Sequence, residues 1–231
     1  MSRGIGTLAE GHLHATLKAL ACGPEDRCEV AVEGLVVDVA GPGGIVEIQT
    51  GGFSRLRAKL ERLLPTHPLR VVLPIAAEKT IVRLEEGAEG RRELSRRRSP
   101  KRGVPAHAFK ELVSIATWLL HPNLTLEILL TREEELRVLR PGRAWRRQGW
   151  VVLERRLIEV LESHVLCGVE AWRRWLPGPD LPAFDSAELA ATLGASRAVG
   201  QQACYTLHQA GLLCREGKRG RAWLYQSSPD R

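Results

Sequence analysis

Apolar residues at helical spacing (Leu13, Leu17, Leu20) predict a first helix over 7–21, with Thr7 as its cap. The period then drops to two. Residues 28–32 and 35–39 alternate as strands, the turn Gly41-Pro42-Gly43-Gly44 follows, and 45–49 (Ile-Val-Glu-Ile-Gln) make a third strand. After Gly51-Gly52, a helix carries Phe53, Leu56, Leu60 and Leu63 on one face and Arg55, Arg57, Lys59 and Arg62 on the other, and Pro65 ends it. The continuous apolar run 69–73 reads as a buried strand, and 80–84 as a separate one. The element order is therefore α-β-β-β-α-β.

Beyond this unit the pattern weakens. Residues 91–103 (RRELSRRRSPKRG) are basic and poor in apolar side chains, which predicts an exposed loop or linker, solvated or in contact with phosphate. Phe109, Leu112, Val113, Ala116 and Leu119 predict a helix, and 124–130 a strand. A hairpin is expected around Arg140-Pro141-Gly142-Arg143, then a helix through Leu153, Leu157, Val160 and Leu161. Thr131 with Glu134 offers a competing short helix, and the two readings stay open.

The C-terminal pattern is sharper. Pro177, Pro179 and Pro182 mark a boundary, and Asp185 with Glu188 forms a capping box for a helix over 186–193. Gly194 ends it, Ser196 caps a second helix over 196–210, and strands 212–215 and 222–226 flank a basic connection. Helix, tight turn, helix and basic hairpin make a winged helix-turn-helix pattern. Four segments result: a core over 1–90, a basic linker or loop over 91–105, a mixed helical and hairpin region over 106–180, and the helix-turn-helix unit over 181–231.

Charge adds direction. Among 231 residues, 34 Lys and Arg stand against 27 Asp and Glu, a net +7, which favours a polyanionic partner. No apolar stretch is long enough to span a bilayer, and no secretory segment opens the chain. Five scattered cysteines suggest neither a zinc site nor a disulfide framework, so reduced thiols and a cytoplasmic setting are expected.

The sharpest chemistry lies in the first hairpin. If Gly41 to Gly44 close the loop, Ala40 faces Ile45 and Asp38 faces Glu47. Like charges opposed within apolar strands are costly unless a cation lies between them or one takes up a proton. Converging carboxylates are hard oxygen donors of the kind Mg²⁺ requires. If they repel one another, a bound ion should raise the melting temperature, and Asp38→Asn should stabilise the metal-free protein. Glu10 shares a helical face with Leu13 and Leu17; it can join the set or serve as the N3 member of a capping box begun by Thr7.

An acid on the first helix, then Asp38, then Glu47-Ile48-Gln49, in the order α-β-β-β-α-β, resembles the PD-(D/E)XK nuclease superfamily over roughly residues 7–85. The resemblance implies an α+β or α/β fold, a restriction-endonuclease-like core followed by the C-terminal winged-helix unit. It implies metal-dependent phosphodiester hydrolysis with Mg²⁺ or Mn²⁺. Asp38, Glu47 and the Ile48 carbonyl would hold the metal, and Glu10 and Gln49 would complete the catalytic set. Gln49 stands where the superfamily usually has Lys, and the proline that names the motif is absent before Asp38. Lys59 on the following helix is a candidate for the missing cation.

For nucleic-acid contact the candidates are Arg197, Gln201, Tyr205 and His208 on the second C-terminal helix, and Lys218, Arg219 and Arg221 beside Trp223 in the hairpin. Arg97 and Arg98 in the basic segment join them. Trp145 and Trp150 lie among arginines, suited to packing or to stacking on unpaired bases. The expected partner is nucleic acid, with DNA preferred over RNA on the C-terminal pattern alone; a homodimer is left open and a membrane is not expected. Two other readings remain: a non-catalytic DNA-binding regulator on a degenerate nuclease fold, and an RNA-processing nuclease.

Overall fold

The computed structural model describes residues 11–87, 90–178, 181 and 183–228. Helix α1 (His12–Ala21) leads into β1 (Arg27–Val32), β2 (Leu35–Gly41) and β3 (Gly44–Ile48). A one-turn 3-10 segment (Phe53–Arg55) and α2 (Leu56–Leu63) then precede β4 (Leu69–Gly87). The chain continues through β5 (Gly90–Arg98), α3 (Phe109–Leu112), β6 (Leu124–Leu139), β7 (Trp150–Leu166) and α4 (Gly168–Arg173). Helices α5 (Ser186–Thr192) and α6 (Arg197–Gln209) and the hairpin β8 (Leu213–Arg219) and β9 (Ala222–Ser227) close it. The architecture is a mixed α/β fold built on one large sheet.

That sheet has the order β1-β2-β3-β4-β6-β7, with β5 also paired to β4. Strand β4 runs parallel to both β3 and β6, while the remaining pairs are antiparallel. Neighbouring strand residues feed opposite faces. Ile45 and Val71 join Leu56, Leu60 and Leu63 of α2 in the larger core, and Val46 and Val72 join Leu13 and Leu17 of α1 in a smaller one. Each fully buried leucine contributes about 1.5–3 kcal/mol, so α1 and α2 clamp the sheet at the β2–β3 hairpin from both sides. Gly44 closes that hairpin at φ 106°, and a Cβ there would come within 2.5 Å of the Pro68 carbonyl, so the turn lies hard against the entry to β4.

Five expectations are revised. Strands 69–73 and 80–84 are one 19-residue strand, β4. Its Pro74 is tolerated because β3 ends opposite Val72, which leaves that edge without a ladder donor to satisfy. The basic stretch 91–103 is exposed as expected, but 90–98 form strand β5 rather than a loop or linker. Residues 153–161 belong to strand β7 rather than a helix, and Thr131 and Glu134 lie within β6 rather than capping a helix. The apolar run 109–119 is helical but broken, with α3 passing into a 3-10 segment over Val113–Trp118. The single sheet draws strands from 27 to 166 and so crosses the divisions drawn at 90 and 105.

The C-terminal unit packs onto this body through α6, which lies against α3 and the Val113–Trp118 segment, and its apolar residues merge into the larger core. At the α5–α6 crossing a Cβ on Gly200 would fall 2.1 Å from the Ser186 carbonyl, so only glycine allows the approach. Asp185 accepts from the N–H groups of Ala187 (2.7 Å) and Glu188 (3.0 Å), and the Glu188 carboxylate accepts the Asp185 N–H at 2.8 Å. Ser196 precedes α6 with extended backbone but makes no side-chain cap.

The Glu188 and Ala187 N–H groups hold the Asp185 carboxyl below its ordinary value of 3.8. A lowered folded value stabilises above the ordinary pKa and is lost as pH falls through the lowered one. Asp185→Ala should therefore cost about 0.5–2 kcal/mol at neutral pH. Urea melts repeated at falling pH should show the gap between variant and parent closing below about pH 4; a gap unchanged in acid would remove the cap as its cause.

Candidate active site

The β2–β3 ladder pairs Gly41 with Gly44, Ala40 with Ile45 and Val39 with Val46, and stops there. The β1–β2 ladder skips the step at Glu29 and Asp38, where Glu29 takes φ 55°, a left-handed backbone that a non-glycine residue adopts at a cost of order 1–3 kcal/mol. Strand pairing thus lapses on both sides of Asp38. The Ile48 N–H, left without a ladder partner, donates instead to Asp38 Oδ2 at 2.7 Å. An extended residue turns its N–H and C=O to the same edge, so the Ile48 carbonyl also faces β2.

Asp38 and Glu47 line one cleft of about 500 Å³, together with His14, Ile48, Gln49, Ser54 and Lys59. Glu47 is 1% exposed, and Lys59 Nζ on α2 lies 2.6 Å from its Oε1. His14 Nε2 on α1 is 3.3 Å from Asp38 Oδ2. Each layer of the clamp therefore sends one basic side chain to one acid.

The two carboxyls differ electrostatically. Burial pushes Asp38 up, but the hydrogen bonds from His14 and the Ile48 N–H, with the nearby charges of His14 and Lys59, outweigh it and hold it below the usual range. Burial also pushes Glu47 up, and here it prevails over Lys59, helped by the Asp38 charge. Asp38 is the more firmly ionised partner.

This changes one expectation. Asp38→Asn replaces a carboxylate that accepts two hydrogen bonds, so in the metal-free protein it should lower stability by about 1–3 kcal/mol rather than raise it. Mg²⁺ at a hundredfold excess over its Kd should still raise the parent's stability by about 2.7 kcal/mol. Thermal melts of parent and variant, with and without Mg²⁺, read both quantities; a parent melt indifferent to Mg²⁺ would count against an ion between the carboxylates.

Asp38, Glu47 and the Ile48 carbonyl are hard oxygen donors of the kind Mg²⁺ or Mn²⁺ takes, and in donor chemistry they fit such an ion, with the Lys59 ammonium competing for Glu47. Among the described residues no group of three or more His, Cys, Asp or Glu converges as a metal set. Glu10, the further acid expected from the sequence, lies outside the described residues, as do Thr7, Pro179 and Pro182. His14 was not legible as a site residue, because a lone histidine on a helix carries no local signal of which strand it will meet. Its signal was its place four residues after Glu10 in the sequence, a helical spacing.

The nucleic-acid candidates divide by position. Arg197, Gln201 and Tyr205 form one exposed stripe along α6, above buried Val199, Ala203 and Leu207. His208 is half-buried, with Nδ1 2.9 Å from the Leu213 carbonyl. Arg221 borders a small cleft with Arg197 and Gln201, and Lys218 lies over the Trp223 ring. Arg219 is tied to Glu188 at 2.8 Å. Arg97 and Arg98 are exposed on β5. Trp150 is half-buried beneath Arg83, whereas Trp145 is 81% exposed. The scattered cysteines also gain a neighbour: the thiols of Cys22 and Cys28 come within 3.1 Å.

No helix among the described residues is long and apolar enough to cross a membrane. No solved structure matches the chain. An uncharacterized protein of Treponema pallidum (strain Nichols) is 33% identical over 230 residues, covering 97% of this chain and 88% of that one. A family model matches residues 11–167, from the start of α1 to just past the end of β7, and so takes in the whole mixed sheet. By that match the chain belongs to the family described as Domain of unknown function (DUF8091).

Proposed function

We propose that this chain is a metal-dependent phosphodiesterase acting on nucleic acid, with a PD-(D/E)XK-like sheet as its catalytic unit and a C-terminal winged helix as a second nucleic-acid contact. The observation that carries the reading is Lys59 Nζ at 2.6 Å from Glu47, in the cleft that Asp38 and Gln49 share. The positive charge that Gln49 cannot supply is then delivered from α2, one layer away.

Asp38, Glu47 and the Ile48 carbonyl would hold Mg²⁺ or Mn²⁺, which when bound lowers the pKa of a water and neutralises charge building on the phosphate. Asp38 stays ionised through its His14 and Ile48 contacts, ready as a ligand without a proton to lose. Lys59 can turn from Glu47 toward a phosphate oxygen, offering a charge-assisted hydrogen bond that strengthens as charge develops. Gln49 lines the same cleft and can orient the attacking water or the phosphate. The exposed stripe Arg197, Gln201 and Tyr205 suits groove contact, with DNA as the favoured nucleic acid.

A second reading draws on the same contact. The Lys59–Glu47 pair already neutralises the buried acid, as a sheet kept only as a binding platform would require. Purified protein incubated with single-stranded, duplex and branched DNA, and with structured RNA, plus Mg²⁺ or Mn²⁺, separates the two. Cleavage lost in Asp38→Asn and Glu47→Gln supports hydrolysis; binding with no cleavage of any substrate favours the platform.

A further inference from the structure

A second cleft, of about 790 Å³, opens beside the first and shares Thr50 and Gly51 with it. Its floor is the apolar run Leu73 to Ala76 of β4, with Ile81 and Val152. Its walls are basic. Arg97 of β5, Lys101 and Arg102 of the segment that follows, Lys110 of α3 and Arg147 of the β6–β7 connection all line it and are all exposed. Among the described residues none of these five reaches a carboxylate within ion-pair distance.

Two acids line the cleft, Glu111 and Glu135. Glu135 takes Lys79 at 3.0 Å and Arg137 at 2.7 Å, and the lining Arg155 takes the fully buried Glu133 at 2.9 Å, which also accepts the Thr131 hydroxyl at 2.8 Å. Arg155 also reaches the Thr50 carbonyl at 3.5 Å, which ties this network to the rim of the carboxylate cleft. Among the described residues Glu111 is the one lining acid outside an ion pair, against five wall cations outside ion pairs, a net positive lining suited to a polyanion.

We infer that this channel binds a single-stranded polynucleotide and leads one of its phosphates to Asp38 and Glu47. Only this last clause rests on the hydrolytic reading. The cleft is about 790 Å³ and open to solvent; what favours an unpaired strand over a duplex is the aromatic side chain beside it. Trp145 shares the short turn Trp145–Arg147 with the wall residue Arg147, is 81% exposed, and has the Arg146 guanidinium 5.0 Å from its ring centre. An exposed indole beside guanidinium groups at a channel wall suits stacking on an unpaired base.

The test reads binding apart from cleavage. Fluorescence anisotropy with labelled single-stranded DNA, single-stranded RNA and duplex DNA is run on full-length Asp38→Asn protein in EDTA, across a salt series. Arg97→Ala, Lys101→Ala and Lys110→Ala are then combined in that background. The triple change should weaken single-strand binding at least tenfold and reduce the slope of log K against log salt by about 2, at roughly 0.7 per phosphate contact. Trp145→Ala should weaken single strands and leave duplex binding unchanged. The DNA and RNA arms identify which strand is the ligand. Unaltered single-strand affinity in a folded triple variant, or tighter binding of duplex through the same residues, would overturn the channel even if the parent cleaves. Channel-dependent binding by a parent that cleaves nothing would leave the channel standing and remove the hydrolytic reading instead.

Discussion

Conversion of Asp38 to Asn should abolish Mg²⁺- or Mn²⁺-dependent cleavage while leaving polynucleotide binding largely in place. Asp38 is the carboxylate held ionised, by the Ile48 N–H at 2.7 Å and His14 at 3.3 Å, and asparagine retains its shape without its charge. Loss of a charged ligand removes several kcal/mol of transition-state stabilisation. At about 1.36 kcal/mol per factor of ten, the rate should fall about 10²–10⁴-fold. Glu47→Gln should fall as far, and Lys59→Met should lower the rate with little change in binding, because its charge is needed at the developing phosphate charge. Initial rates over a Mg²⁺ series, with anisotropy binding on the same preparations, distinguish these outcomes. Cleavage persisting in both carboxylate variants would mean that the activity belongs to a contaminant and that the cleft is not the active site.

Trp172→Ala should be the most damaging single change to stability. The ring is 1% exposed and lies 6.2 Å from Phe109 and 6.1 Å from Trp175, in the core shared by Leu166, Phe184 and Leu207. It therefore sits where the sheet body and the C-terminal helices meet. Truncation removes the transfer energy of an indole and leaves a cavity, about 3–5 kcal/mol together, and should lower Tm by roughly 6–20 °C in a chain of this length. Trp172→Phe should cost much less, because the buried Nε1–H has no hydrogen-bond partner to forfeit. Thermal and urea melts of both variants settle the comparison; an alanine variant within about 1 kcal/mol of the parent would mean that the two parts are not welded there.

What sequence alone could reveal followed from how local each determinant was. The pairing of Ala40 with Ile45 was legible because Gly41-Pro42-Gly43-Gly44 fixes a short turn, and Asp185 with Glu188 because a capping box needs only four residues. Strand β7 was misread because Leu153, Leu157, Val160 and Leu161 fit a helical face equally well. What holds those residues extended is β6 alongside, whose Arg132 and Glu133 pair with Glu159 and Arg155, a determinant invisible until the strands are adjacent. Strand β5 was hidden similarly, since Arg91, Arg92 and Arg96 find Glu86, Glu85 and Glu134 only across the sheet. In the candidate site the hairpin brings Asp38 and Glu47 to one cleft, but the ladder stops at Val39 and Val46, so they are not the directly opposed pair the turn predicts. His14 and the Lys59–Glu47 contact depended on how α1 and α2 dock.

Strand β4 runs 19 residues, at most about 60 Å of extended chain. Its first four residues brace the hairpin carrying Glu47, while its last eight form the stem of the hairpin with β5. One ribbon thus acts as both foundation and lever. Between the two stretches the ladder to β6 shifts register at Ala76 to Glu78, a break where the strand can bend between its foundation and its projecting end.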